Sequence, residues 1–448
     1  MESTTFVSRR KTALENFCLE TTASIKKNIH DFLLKRVALI VSIFLFFLIF
    51  FPAASSVCFI LLIIAWLTAG NIRENTKRVL RQPGFLCLIL FYLLHVLSLI
   101  YSSNLNYAFF DLGEKISFLL MPLILTSFTF TEKDTRHFKF SFISGVTAIT
   151  IYCAFAAAYH YFLYRTMSSF FYTGLSQFLH PAYFTIYLNL ALLFLLESYF
   201  EAGAQNKKRY LIYHLLIPFI FLFMILLSSR TAWTVTLFTV LIYFFTTVSR
   251  RKINLREKIF AASLLAMIIL FLVIVLKTYN RYSDVSAAIQ SASELQPDIN
   301  RQDENGSGAR VYLWKNAFEL IQQNPITGVG VGDVKDELMK VYAKNNYQNG
   351  IEKKLNPHNQ FLQTTIALGL PGLLLLLLVL LIALWKSFRN RNWIYFLFII
   401  IIALNCMTES ILERQSGIIF FSFFYVLLSG FSFQASGSSN AVTENINS

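Results

Sequence analysis

Hydrophobic residues in this chain come in long blocks, separated by short polar breaks rich in Lys and Arg. A helix needs about 20 mostly apolar residues to cross a bilayer. Reading in that unit gives runs near 36–52, 54–70, 85–101, 115–130, 138–163 and 181–200, then 211–228, 231–248, 259–276, 361–385, 393–409 and 416–433. The hydropathy is helical throughout, and no segment alternates like the strands of a membrane barrel. The pattern therefore predicts an all-α polytopic membrane protein with about 12 transmembrane helices. The close pairs 36–52/54–70 and 211–228/231–248 leave room only for very short turns. No internal repeat of the kind that marks many secondary transporters stands out.

One polar stretch interrupts this pattern, from Lys277 to Pro357, directly before the run at 361–385. Its first part, to Gly306, contains Pro297 with several Asn and Asp residues and reads as irregular. A helix is expected from Ser307 or Gly308 to about Gln323. Val311, Trp314, Phe318 and Ile321 fall three and four apart on one face, and Pro325 stops the helix. Arg310 sits in its first turn. A second short helix is expected over Asp333 to Asn345. The stretch carries ten positive and ten negative residues, so it is no basic patch, and any anion site in it must be local. The expected organisation is a tail at 1–35, helices over 36–276, the polar segment at 277–357, three more helices over 358–433 and a tail at 434–448.

Composition agrees with the pattern. The chain has 448 residues, 56% of them hydrophobic, with 46 Phe, against about 45–50% apolar residues in a soluble domain. The net charge of +14 would suggest nucleic acid in a soluble protein. Here the charges sit in short loops between apolar runs, which excludes that partner and leaves membrane lipids. With an inside amino terminus, 18 Lys and Arg fall in cytoplasmic loops, such as Arg73–Arg81, Lys207–Arg209, Arg250–Lys258 and Lys386–Arg391. Only Lys115, Arg165, Arg230 and Arg414 fall in short outside loops. The positive-inside rule then places both termini in the cytoplasm and the polar stretch outside, on the periplasmic face if the cell has an outer membrane. About 35 polar residues precede the first apolar run, so the amino terminus does not read as a cleavable signal. The five cysteines form no Cys-x-x-Cys pair and read as small apolar residues rather than as a zinc site or a disulfide framework.

Candidate chemistry gathers at the predicted outside surface. Gly328-Val-Gly330-Val-Gly332 lacks the Gly-Lys-Ser/Thr of a phosphate-cradling loop and the preceding strand of a dinucleotide fingerprint. It reads as a tight turn allowing close backbone approach. No Asp-x-Asp pair is present to hold a divalent ion, so neither metal nor cofactor is expected. Arg230, at the junction of two helices, is either a snorkelling helix-end residue or a guanidinium fork for phosphate oxygens. Arg310 offers the same fork, against an exposed helix-start residue. His358, between Pro357 and Asn359 at the expected water–lipid boundary, is either structural or a proton acceptor near neutral pH. His180 before Pro181 is a weaker candidate. Lys115, Glu409, Glu413 and Arg414 also map outside. Glu409 and Glu413 lie four apart and can pair with cations, while solvated helix-end charges explain these four equally well.

Gly308-Ala-Arg310-(x)3-Trp314, Asn324-Pro325-(x)2-Gly328-(x)-Gly330, Pro357-His358-Asn359-(x)2-Leu362 and Gly369-(x)2-Gly372 resemble the O-antigen ligase/O-antigen polymerase (Wzy-C) superfamily, with the ligase-like members the leading comparison. Ser229-Arg230 and the twelve-span layout with a large outside loop before span ten are similar too. The resemblance implies a GT-C-like fold and a metal-independent, inverting glycosyltransferase. Such an enzyme moves a glycan from an undecaprenyl-diphosphate carrier to an acceptor hydroxyl, the lipid A–core sugar for a ligase. For a polymerase the acceptor is another carrier-linked repeat; for an oligosaccharyltransferase it is a protein hydroxyl. Matched residue by residue, the resemblance implies diphosphate-binding roles for Arg230 and Arg310 and a catalytic role for His358. A transporter of lipid-linked sugars is the rival from another class, but it predicts ionisable residues near mid-membrane, and the predicted spans are nearly free of them. A purely structural assembly partner is a further alternative.

Overall fold

The computed structural model describes residues 35–70, 72–202, 207–227, 230–248, 254–278 and 307–430. The two expected tails, apart from residue 35, the irregular part of the polar stretch beyond Thr278 and Ser228-Ser229 lie outside the described residues. Among the described residues there is no strand, and each of the twelve apolar runs carries a helix. Pro83–Ile100, Glu132–Tyr164, Pro181–Glu201 and Gln360–Arg389 are long and apolar enough to cross a membrane. A fifth crossing results if Ala53–Thr68 and Ile72–Leu80, bent 107° from each other, are counted as one. Val37–Phe47, Leu211–Leu226, Trp233–Thr246, Trp393–Cys406 and Gln415–Leu428 are apolar but shorter. The chain is thus a helical membrane protein in which four or five described helices meet the demands of a full crossing.

The run expected at 115–130 is displaced. Helix Leu105–Lys115 starts ten residues earlier, its first turn capped by Asn104, whose side chain accepts from the Tyr107 N–H at 3.2 Å. It continues through Ile116, which keeps helical angles, into Ser117–Leu125. Hydropathy alone hides this start because Asp111, Glu114 and Lys115 depress it. Asp111 and Lys115 lie one turn apart, pair with each other and are both buried, so the helix carries them without facing charge to lipid.

The run at 361–385 belongs to a helix broken at Gly369, which has φ 66° and ψ −165°. Helical continuity would have Ile366 O accept from Leu370 N and Ala367 O from residue 371. Residue 371 is proline and has no N–H, and Leu370 N donates to Pro325 O instead, at 2.9 Å. The two stranded carbonyls are taken up by the glycine turn, from Val329 N at 2.8 Å and Gly330 N at 3.0 Å. A Cβ at Gly369 would stand 2.0 Å from Ile326 O, so only glycine permits this approach. The helices expected in the polar stretch are present as Ser307–Gln323 and Val334–Lys344.

The interior is aromatic. Phe142, Tyr187, Phe398, Phe420 and Phe424 pack edge to face and tilted, with Tyr187 and Phe420 4.3 Å apart and Phe142 and Phe424 4.9 Å apart. Such pairs are worth about 0.5–1.5 kcal/mol each beyond area burial, and packing of this kind is what holds helices together when lipid supplies no hydrophobic drive. Phe140, Phe155 and Phe162 instead point outward. Loop and helix-end contacts collect at two ends of the bundle. At one, Asp333 accepts from the N–H groups of Ser103 and Asn104, and the Tyr101 hydroxyl donates to Thr327 O. At the other, Lys386 donates to Gln82 and Asn392 to Leu428 O. Gln360–Arg389 runs between the two ends, with His358 immediately before its start.

Candidate functional site

The turn at 356–359 is shaped by its own side chains. His358 has φ 45°, a left-handed conformation uncommon for a residue with a Cβ. Its N–H donates to Asn356 Oδ1 at 3.0 Å. Asn359 caps the next helix by accepting from Leu362 N at 3.1 Å, and its amide donates to Met407 O at 3.2 Å. On the other side, the Trp314 indole donates to Pro357 O at 3.0 Å. Trp314 and Arg310 are four apart on helix Ser307–Gln323, so one face of that helix holds the turn and presents the guanidinium beside it.

The hub of the arrangement is Glu409, in the connector between Trp393–Cys406 and Gln415–Leu428. Its Oε2 lies 2.8 Å from His358 Nδ1, and its Oε1 accepts from Arg310 Nη2 at 3.0 Å. The Glu409 side chain is 13% exposed, and those of Arg310 and His358 are both 31% exposed, so the carboxylate sits under two groups that reach water. Burial pushes the Glu409 carboxyl up. The hydrogen bond from His358 and the charges of His358, Arg310 and His180 outweigh it, holding the carboxyl below the usual carboxylate range.

His180 lies within electrostatic reach of the same groups. Its Nε2 lies 3.5 Å from the Tyr172 hydroxyl. Burial lowers its pKa; Glu409 opposes this, while Arg414, His358 and Arg310 add to it. The Arg414 guanidinium lies over the Tyr183 ring, 5.8 Å from its centre, and the Tyr183 hydroxyl donates to Ser410 O at 3.0 Å. Burial raises the Tyr172 pKa, Glu409 raising it further and Arg310 opposing. Lys115 and Glu413 form a separate cluster. Lys115, 2% exposed, donates to Glu413 Oε2 at 3.0 Å and pairs with Asp111.

The backbone of Arg230 opens helix Arg230–Tyr243, while its side chain lies outside what the structure describes. Six residues on, Thr236 donates to Asn189 Oδ1 at 2.8 Å, and Asn189 lies nine residues after His180. Among the described residues, no group of three or more His, Cys, Asp or Glu is arranged to hold a metal ion. A cavity of about 500 Å³ lies between residues 103–106 and the Asp333–Lys340 segment, and none of the candidate residues lines it.

The structure therefore brings together His358, Arg310, Glu409, His180 and Arg414, and sets Lys115 and Glu413 apart. Sequence reasoning missed Tyr172, Tyr183, Gln360 and Asp111. Only Asp111 left a signal, its i,i+4 spacing from Lys115.

Residues 215–377 match a family model described as O-Antigen ligase. The match includes Arg230, Arg310 and His358 and stops before Glu409. No curated protein matches the chain.

Proposed function

We propose that this chain, whose residues 215–377 match the O-antigen ligase family model, moves a glycan from an undecaprenyl-diphosphate carrier to the hydroxyl of a lipid A–core sugar. The observation that carries the reading is the His358–Glu409–Arg310 arrangement, with contacts of 2.8 and 3.0 Å. Glu409 as a carboxylate can only accept, so Nδ1 of His358 carries the ring hydrogen and the Nε2 lone pair remains to take a proton. In the reaction Nε2 removes the acceptor hydroxyl proton, the oxygen attacks the anomeric carbon, and the bond from that carbon to the diphosphate oxygen breaks. One displacement inverts the centre. The electron pair leaves on the diphosphate, where charge grows, and positioned cations stabilise it. Arg310 spends one N–H on Glu409 and has others to offer phosphate oxygens. Arg230 is the second diphosphate ligand in this reading. The carrier is already a competent leaving group, so neither ATP nor metal is called for.

The reading puts the His358 end of the bundle in the periplasm, both termini in the cytoplasm and the protein in the bacterial inner membrane. His180 and Arg414 then flank His358 as supporting groups. Lys115 and Glu413, paired beside it, act at a distance.

Lipopolysaccharide gels of a strain carrying His358→Ala test the proposal. A ligase leaves bare core and accumulates carrier-linked chains. A polymerase, the alternative within the same family, leaves core capped with single repeats. Normal long-chain lipopolysaccharide at wild-type expression would remove His358 from the chemistry.

A further inference from the structure

Three consecutive residues, His358, Asn359 and Gln360, each grip the connector 407–414 at a different point. His358 meets Glu409, Asn359 donates to Met407 O, and Gln360 holds the far end. Gln360 is 1% exposed and uses both ends of its amide. Its Oε1 accepts from Leu412 N at 2.7 Å, and its Nε2 donates to Glu413 Oε1 at 2.8 Å and to Thr364 Oγ1 at 3.1 Å. The other oxygen of Glu413 is held by Lys115, which also pairs with Asp111.

From this geometry we infer that Gln360 is a positioning residue for the transfer reaction, setting the register of the connector so that Glu409 meets His358. The inference rests on the reading of His358 as the proton acceptor. A buried amide with one donor end and one acceptor end satisfied fits a single register. Moving the connector by a residue would strand the amide, a backbone N–H and a carboxylate together, and buried networks of this kind are costly when half satisfied. Leu412 and Glu413 belong to the 3₁₀ turn Ile411–Glu413, which begins two residues after Glu409. Fixing that turn fixes where the carboxylate points. Tyr183 donates to Ser410 O within the connector, and Tyr187 to Ser416 O in the helix that follows it, so Pro181–Ala202 holds the connector as well. Lys115 anchors Glu413 in place and is itself enclosed.

The test is a double-mutant cycle in the purified full-length enzyme, with undecaprenyl-diphosphate-linked glycan as donor. Gln360→Leu should lower kcat about 10–100-fold with KM changed less than about threefold. Added to Glu409→Gln, it should cost less than about threefold more, because a residue acting only through Glu409 has nothing left to position. Combining Gln360→Glu with Glu413→Gln exchanges donor and acceptor across the 2.8 Å contact and should recover most of the rate that either change alone loses. A readout without substrate keeps this inference separate from the proposed reaction: carbethoxylation of His358 by diethyl pyrocarbonate, followed by peptide mass. With the carboxylate no longer polarising Nδ1–H, the Nε2 lone pair is less nucleophilic, and modification should slow by a similar factor in Gln360→Leu and in Glu409→Gln. Wild-type transfer in Gln360→Leu, additive losses in the double variant, or unchanged His358 modification would overturn the inference. If no transfer occurs even in the unaltered protein, the modification rates still decide it.

Discussion

An ionised carboxylate has no proton to give, so the contact between Glu409 and His358 Nδ1 puts the ring hydrogen on Nδ1 and leaves the lone pair on Nε2. Arg310 meets the other oxygen of the same carboxylate, and both neighbours are therefore donors. Glu409→Gln replaces one acceptor by an amide NH2 that must face either the imidazole or the guanidinium. The expected result is a fall in kcat of about 10²-fold, the lower end of what a general base contributes, with KM nearly unchanged in steady-state transfer assays. The pKa shifts carry a sign as well. His180 titrates lower in the folded chain than free imidazole, at about 6.5, so the folded state binds fewer protons and stability falls as pH drops below that value. Glu409 is also depressed; the stability it contributes is present above the ordinary carboxyl value of about 4.3 and is lost as pH falls through its lower folded value. Melting temperatures in detergent should decline in two stages on acidification. The first should be missing in His180→Gln, and Glu409→Gln should flatten the second. At this scale the sequence exposed residues with a marked local setting: Arg310 in the first turn of a stripe-bearing helix and His358 between Pro357 and Asn359. Gln360 is hidden just before an apolar run, because its connector partners Leu412 and Glu413 lie more than fifty residues away and a one-dimensional reading has no access to them.

Elements whose ends are marked by local chemistry were legible. Ser307–Gln323 shows its apolar stripe and its terminating proline, and the structure gives it those bounds. Leu105–Lys115 was not, because a hydropathy window scores Asp111 and Lys115 as two charges rather than as one buried pair. The break at Gly369 is partly legible: Gly369, Pro371 and Gly372 are helix-weakening residues, but the partner that fills the gap, the glycine turn at 328–330, is forty residues upstream. The break makes opposite predictions for two glycines. Gly369→Ala forces a Cβ toward Ile326 O in a left-handed conformation and should destabilise the protein by about 1–3 kcal/mol. Gly113→Ala lies inside helix Leu105–Lys115 with nothing within 4 Å of the added Cβ, and should stabilise by about 0.5–1 kcal/mol. Thermal unfolding in one detergent measures both. A Gly369→Ala protein as stable as the parent would mean that the helix does not bend there to receive the turn.

For the molecule as a whole, the sequence indicated alternating spans from the spacing of its apolar blocks and the placement of Lys and Arg. The structure supplies the ends those spans share. His358, Arg310 and Glu409 gather at one end, while Lys386, Lys139, Arg391 and the Gln82 contact lie at the other. Crossing lengths were less legible, because several helices are shorter than the apolar runs that announced them; Val37–Phe47 has 11 residues and Trp393–Cys406 has 14. Basic residues are retained on the cytoplasmic side of a membrane, so the end carrying Lys386 and Arg391 should face the cytosol and the His358 end should face out. Lys340, with a 71% exposed side chain in Val334–Lys344, reports on the outward-facing end, and the exposed Arg391 on the cytosolic one. In spheroplasts, a membrane-impermeant maleimide should label Lys340→Cys at once and Arg391→Cys only after permeabilisation, each measured over the background of the parent chain. The reverse pattern would put His358 and its carboxylate in the cytosol, away from any glycan already carried to the outer leaflet, and the transferase reading would fail with it.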